Sequence, residues 1–271
     1  MWFVEDGTTT VAGAVAKVTS TGTVTTYAIP GTDEVPLNLT TGSDGNIWIT
    51  EGQGNPGITK VTTTGTVTTY PTTTSPYPLA IVAGPDGNLW FTDVDNNSVN
   101  TFTTSGTLAA SYPLSTNADP LGITVGADGK LWFTQANLAS IDNISTSGSL
   151  GSPISIGNSS AHPNNIVVGP DGNYWATDNG LNSVDRITPS GVVTIFTLPS
   201  GGSPSLPSGI TSGPDGNLWF TLNNQLWKIS TSGVTTSYAS LGISPNAIAW
   251  GPGDVLWFTE YTAGVVGKIT F

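Results

Sequence analysis

Apolar and polar positions alternate along this chain in short bursts. Runs such as Leu89-Trp90-Phe91-Thr92 and Val99-Asn100-Thr101-Phe102 are cut off quickly by Gly, Pro, Asp or Asn. No window keeps a 3.6-residue period over several turns, so the pattern predicts short strands joined by tight turns and no long helix.

The bursts recur. GPDGNLWFT at Gly84–Thr92 returns as GSDGNIWIT (Gly42–Thr50), GADGKLWFT (Gly126–Thr134), GPDGNYWAT (Gly169–Thr177), GPDGNLWFT (Gly213–Thr221) and a looser GPGDVLWFT (Gly251–Thr259). A shorter copy opens the chain as Met1-Trp2-Phe3-Val4. The repeat tryptophans stand at 2, 48, 90, 132, 175, 219 and 257. The copy around Trp90 resolves into four strand candidates: A over 79–83, B over 88–92, C over 99–103 and D over 107–112. Pro85-Asp86-Gly87 supplies the A–B turn, with proline fixing φ and glycine accepting a positive one. Asp44, Asp86, Asp128, Asp171 and Asp215 are turn residues on this reading, because Asx side chains bond back to a turn backbone. The C–D turn ends in Gly22, Gly65, Gly106, Gly148, Gly191 and Gly233. Strand A opens each time on a proline: Pro36, Pro78, Pro120, Pro163, Pro207 and Pro245.

Four short strands per period of about 42 residues is the pattern of a propeller blade. The prediction is an all-β, seven-bladed β-propeller formed by one domain over 1–271. Its first and last blades, over 1–30 and 245–271, are incomplete, and a six-bladed ring is the alternative. Seven B, seven C, six D and six A strands leave one D-to-A segment unaccounted for. An edge left unpaired in this way invites another chain; the preferred reading is seven blades closed without the usual shared strand, with a truncated sequence or self-association, a strand supplied by another copy, as the alternatives. The repeat tryptophans read as wedges between blades. Trp227 and Trp250 lie outside the pattern and read as fillers of enlarged gaps, with stacking on a sugar ring as the alternative.

Composition narrows the function. With 34 glycines, 19 prolines and no cysteine, the chain has no disulfides, thiolate nucleophiles or cysteine zinc ligands. Eighteen acids against six bases give a net charge of −12, which repels phosphate backbones, so nucleic acid is not expected as a partner. No membrane span is read, and the scarcity of charge, at 9% of residues, points to an extracellular or cell-surface setting. Sequons at Asn38, Asn96, Asn143 and Asn158 read as chance in a Ser- and Thr-rich chain.

In a propeller the residue after each strand B threonine and the residue after each strand A proline emerge at one mouth of the channel. The first set is Glu5, Glu51, Asp93, Gln135, Asp178, Leu222 and Glu260, mostly acidic. The second is Leu37, Leu79, Leu121, Asn164, Ser208 and Asn246, an apolar arc followed by a polar one. This mouth is the expected site for a small molecule, glycan or protein. Its carboxylates can hold a hard divalent cation, Mg or Ca, or remain a solvated rim. Asp93, Asp95 and Asn97 are spaced like the start of a calcium loop, although Ser98 and Thr104 stand where its glycine and closing glutamate belong. His162, the single histidine, precedes Pro163 as Asp119 precedes Pro120 one blade earlier, so the two are expected to pair and raise the histidine pKa. Ser159 and Ser160 lack a nucleophile context for a triad with it.

The repeated GPDGNLWFT, then Lys228-Ile229-Ser230 or Lys268-Ile269-Thr270, then glycine and a Val-Thr strand, resembles the virginiamycin B lyase family. The resemblance covers nearly the whole chain. It implies a seven-bladed propeller and magnesium-assisted elimination that linearises cyclic streptogramins. It also implies histidines after the strand A proline in the last two blades, where this chain has Asn246 and Ser208. Glu260 lies near a family glutamate, with Tyr261 the closer positional match. The expectation is therefore an extracellular binding or assembly propeller without the catalytic histidines. The alternatives are a diverged lyase using Glu260 and magnesium, an unrelated reaction built on Asp119 and His162, and a strand-exchanging structural subunit.

Overall fold

The computed structural model describes residues 1–6, 12–31, 35–52, 56–72, 77–199, 206–240, 245–260 and 264–271. They form seven antiparallel sheets in a propeller arrangement, which excludes the six-bladed alternative. The first sheet has three strands, β1 (Trp2–Glu5), β2 (Ala14–Val18) and β3 (Val24–Ala28). Five four-stranded sheets follow. They are β4 to β7 (Pro36–Thr41, Ile47–Glu51, Gly57–Val61, Val67–Pro71) and β8 to β11 (Pro78–Ala83, Leu89–Asp93, Ser98–Phe102, Leu108–Pro113). Next come β12 to β15 (Pro120–Val125, Leu131–Gln135, Ser140–Ile144, Ile154–Ser155) and β16 to β19 (Pro163–Val168, Tyr174–Asp178, Ser183–Ile187, Val193–Thr197). The last of the five is β20 to β23 (Pro207–Ser212, Asn217–Leu222, Gln225–Ser230, Thr235–Ser240). The seventh sheet has three strands, β24 (Pro245–Gly251), β25 (Val255–Glu260) and β26 (Val265–Thr270). Strands lie in A-B-C-D order within each blade, as the spacing predicts.

The chain divides into two compact units. One comprises Met1–Val125, Gly129–Phe133 and Ile144–Gly151, the other Gly126–Asp128, Thr134–Asn143 and Ser152–Phe271. In the first, Trp48 packs with Ile81, Leu89 and Phe91 of the following blade, and Trp90 with Ile123, Leu131 and Phe133 of the next. In the second, Trp175 packs with Ile210, Leu218 and Phe220, and Trp219 with Ile248, Leu256 and Phe258. These four indoles are thus the wedges the spacing predicts, and truncating one to alanine removes about 3–5 kcal/mol of packing. Trp227 stacks on Phe220 and Trp250 meets Trp219 edge-on, so both fill aromatic gaps.

Three devices recur around these wedges, in different combinations from blade to blade. The turn aspartate does more than bend the backbone: Trp90 Nε1 donates to Asp86 Oδ1 at 3.1 Å, and the same bond joins Trp48 to Asp44, Trp175 to Asp171 and Trp219 to Asp215. Burial acts to raise the pKa of Asp44, Asp171 and Asp215. Hydrogen bonds from the neighbouring asparagine and from the indole outweigh it and hold all three below the usual carboxylate range. Gly84 is glycine because a Cβ there would strike both the Trp90 ring and Asp86. Across the sheet, the strand C residue paired with the tryptophan lays a cation over its ring. Lys60 sits 5.0 Å from the Trp48 centroid, Lys17 5.4 Å from Trp2, Lys228 5.6 Å from Trp219, Lys268 5.6 Å from Trp257 and Arg186 5.8 Å from Trp175. A strand D aromatic then stacks on the wedge, Tyr112 on Trp90 at 5.5 Å and Phe196 on Trp175 at 5.5 Å.

Strand A begins at its proline as expected, but its pairing with strand B is irregular over the next residues. That bulge frees an N–H at the third position and a carbonyl at the second, both near the strand B threonine. Thr92 Oγ1 accepts from Ala80 N at 3.1 Å and donates to Leu121 O of the next blade at 2.8 Å. Thr177 bridges Asn165 N and Ser208 O in the same way, and Thr221 bridges Gly209 N and Asn246 O. In these three blades one hydroxyl therefore closes its own bulge and ties the innermost strand of the neighbour.

Candidate functional site

The second side chain of strand A stays at least partly exposed beside the bulge, which gives the start of strand A its candidate chemistry. In the first unit the second position is Leu37, Leu79 and Leu121, all half-buried. In the second unit it is Asn164, Ser208 and Asn246. Ser208 Oγ donates to Asn246 Oδ1 at 2.8 Å, and Asn165 Nδ2 donates to Ser208 O at 3.2 Å. Three consecutive blades thus present amide and hydroxyl groups at one strand end, already linked to one another. These groups can donate to and accept from a neutral polar ligand.

The strand B carboxylates fare differently from the expectation of a solvent-facing rim. Strand B runs one residue past its threonine, so the next residue pairs with the strand A proline: Pro36 with Glu51, Pro78 with Asp93, Pro163 with Asp178, Pro245 with Glu260. Glu51, Asp93, Gln135, Asp178 and Glu260 are therefore buried beneath the adjoining turns, and only Glu5 is exposed. Asp93 uses both oxygens within its own loop, Oδ1 accepting from Asn96 N and Oδ2 from Asn96 Nδ2. Asn97, at φ 47°, turns the same loop and accepts from Asp119 N at 2.9 Å. Asp93 and Asn97 thus close their turn with protein donors, while Asp95 is exposed beside them. Among the described residues no three His, Cys, Asp or Glu side chains converge to hold a metal.

His162 is half-buried, and its backbone N–H donates to Asp178 Oδ1 at 2.9 Å. Asp119 lies in the first compact unit and His162 in the second, and each is anchored through its own backbone. Tyr261 lies outside the described residues.

Strand C supplies groups that sequence reasoning passed over. Ser183 Oγ donates to Asp185 Oδ1 at 2.7 Å, and Asp185 is fully buried beside Asp178. Burial pushes the Asp185 carboxyl up to about 7, Ser183 counters in part, and the neighbouring Asp178 raises it further. Asp142, at the equivalent position one blade earlier, is also raised by burial, with Asn143 N–H opposing. The signal was present as Ser98-Val99-Asn100, Ser140-Ile141-Asp142 and Ser183-Val184-Asp185, a serine and a second polar residue repeated at the first and third positions of a buried strand.

Comparison with known proteins places this geometry. The chain matches the Virginiamycin B lyase family over residues 1–109 and 58–271. Among solved structures, it is similar to a catalytically inactive histidine-to-alanine variant of virginiamycin B lyase from Staphylococcus aureus with quinupristin. There the identity is 33%, with 88% of this chain and 82% of that one covered at a TM-score of 0.80. The selenomethionine form of the Staphylococcus aureus enzyme matches at 31% identity over 87% of this chain and 84% of that one, with a TM-score of 0.76. A streptogramin B lyase matches at 26% identity over 100% of this chain and 87% of that one, with a TM-score of 0.78. No curated protein matches significantly.

Proposed function

The chain belongs to the virginiamycin B lyase family, and on that footing we propose that it is a binding propeller that does not catalyse elimination. It holds a neutral ligand rich in amide and ester groups, of the cyclic peptide lactone kind, at the strand A end of its second unit. The observation that carries this reading is the Ser208 to Asn246 hydrogen bond. The two positions where the resemblance calls for histidine hold a hydroxyl and a carboxamide bonded to each other. Neither group takes up or releases a proton near neutral pH as imidazole does, whereas both can bind amide and ester groups. Thr177 and Thr221 fix the backbone beneath them by accepting from one blade and donating to the next.

Magnesium, which the resemblance implies, needs several oxygen ligands in octahedral array. Among the described residues the donor set offers no convergent cluster, so these residues do not fit the ion and no step is routed through it. Glu260 is buried and ends β25, and residues 261–263 lie outside the described set. An extracellular or cell-surface setting accords with the charge-poor composition; among the described residues no helix is long and apolar enough to cross a membrane.

The test uses quinupristin. Calorimetry with the intact chain should detect binding that weakens at least tenfold in Asn246→Ala with Ser208→Ala, while mass spectrometry in the presence of magnesium finds the lactone intact. Ring opening to a linear isomer of unchanged mass, resolved by chromatography and fragmentation, would establish a lyase instead, whereas a product heavier by one water would mean hydrolysis; unchanged affinity in the double variant would remove the binding site.

A further inference from the structure

The second unit contains a buried acid pair that neither the scaffold nor the proposed binding site uses. Asp178 ends β17 and pairs with Ser183 at the start of β18, while Asp185 pairs with Ala176, so the two aspartates are diagonal neighbours on one face of the sheet. Both are fully buried. Their first oxygens are occupied: Asp178 Oδ1 accepts from His162 N and Leu181 N, each at 2.9 Å, and Asp185 Oδ1 accepts from Ser183 Oγ. Their second oxygens, Oδ2 of each, meet no protein donor, although the two side chains lie within hydrogen-bonding reach of each other.

Two carboxylates can only accept, so a bare pair would leave two buried charges facing each other with nothing between them. A proton on one turns it into a donor to the other and satisfies both oxygens at once. No cation does that work. Of the charged groups on surrounding elements, Arg186 of β18 lies over Trp175 and Phe196 with its guanidinium bonded to Thr231 O and Thr194 Oγ1. His162 precedes β16 and meets Asp178 through its backbone, Asp142 on β14 is itself an acid, and β13, β15, β16, β19 and β20 carry no charged side chain.

The pair also sits under a clasp. Through Asp178 Oδ1 it ties the loop before β16, which carries His162, to the turn after β17, which carries Leu181. The two segments touch so closely that a Cβ on Gly180 would collide with the backbone of Ser160, Ala161 and His162. We propose that Asp178 and Asp185 share a single proton, and that this proton keeps the clasp at the strand A end of the fifth blade closed, so that the clasp loosens as pH rises toward neutrality. The raised pKa of Asp185 accords with this geometry.

Hydrogen exchange at the His162 and Leu181 amides reads the clasp directly. If opening separates the carboxyls into water, the protection factors of both amides fall by up to about tenfold per pH unit through the acid range and level off near pH 7. Asp185→Asn, which mimics the protonated acid with an amide donor, should flatten that profile. His162→Gln, which keeps the backbone donor and removes the imidazole, should leave the slope in place. Infrared difference spectra of wild type against Asp185→Asn at pH 6 supply a readout that does not depend on the loops, namely a protonated carboxyl band lost in the variant. A profile unchanged in Asp185→Asn, a slope abolished by His162→Gln, or the absence of that band would each overturn the proposal.

Discussion

Replacing Thr92 by valine removes one oxygen while keeping the shape of a β-branched side chain. In the structure that oxygen takes the Ala80 N–H at 3.1 Å and gives its proton to Leu121 O at 2.8 Å, and Thr92 is fully buried. The substitution therefore leaves the Ala80 donor without a partner in a dry site and cuts the tie to the next blade. An orphaned buried donor costs about 1–3 kcal/mol and a lost neutral hydrogen bond about 1 kcal/mol, giving an expected loss of roughly 2–4 kcal/mol. Urea denaturation measures it as a fall in midpoint at constant m value. Thr92→Ser separates the two properties of the side chain, since it keeps both hydrogen bonds and gives up only a buried methyl, at about 1 kcal/mol. If valine costs less than about half a kcal/mol, or if serine is as damaging as valine, the bulge-filling role of the hydroxyl is wrong.

Asp171→Asn tests the indole clamp from the acid side. Because hydrogen bonds hold the Asp171 pKa below its unfolded value, its contribution is present above the unfolded pKa near 3.8 and is lost as pH falls through the folded value. The wild type should therefore lose stability more steeply than the variant in melts below about pH 4. Asp185 has the opposite sign. Its folded pKa, about 7, stands above the unfolded 3.8, so the stabilising effect is full below pH 3.8 and disappears as pH rises through 7. The ceiling is roughly 4 kcal/mol, and Asp185→Asn should melt higher than wild type at pH 8 and no higher at pH 4. Lys60→Met, which keeps the alkyl stem over Trp48 and removes the charge, should cost about 0.5–1 kcal/mol in a denaturation midpoint; no change would mean that packing alone holds the side chain there.

The blade was legible because its signals are local. Pro85-Asp86-Gly87 marks a turn, Trp90 marks a buried strand, and the recurrence of both fixes the number of sheets. What local signals do not carry is the distance a strand runs beyond its motif. Asp93 was expected just outside strand B, in a loop facing solvent. In the structure it is the strand's last residue, paired with Pro78, and its carboxylate closes the turn below. A single residue of extra pairing reverses the environment of the whole acidic row, because successive strand positions point to opposite faces. The role of Asp86 was half legible for a related reason. Its turn bonds follow from sequence spacing, whereas the bond to Trp90 Nε1 depends on how the indole tilts in the gap between blades.

A repeat protein carries its own internal comparison, and here it separates scaffold from site. Positions that keep their chemistry from blade to blade are those that hold the wedge and the bulge: the turn aspartate, the tryptophan, the strand B threonine and, in five blades, the cation over the ring. Five of the six basic residues serve in this way, and Lys60 also pairs with the turn aspartate Asp44 at 3.7 Å, so the cations belong to the wedge and its turn. Positions that change identity are the second residue of strand A, the last of strand B and the third of strand C. They run from Leu37 to Asn246, from Glu51 to Leu222, and from Thr59 to Asp185 and Trp227. Structural need alone would favour one best residue at each, as it does at the tryptophan. Divergence at the start of strand A and the end of strand B, beside an otherwise repeated frame, is what a ligand of uneven chemistry would require of it. Exchanging Asn164, Ser208 and Asn246 together for the leucines of the first unit should therefore abolish quinupristin binding while leaving the urea midpoint within about 1 kcal/mol of wild type. A large loss of stability would instead place those three residues in the scaffold.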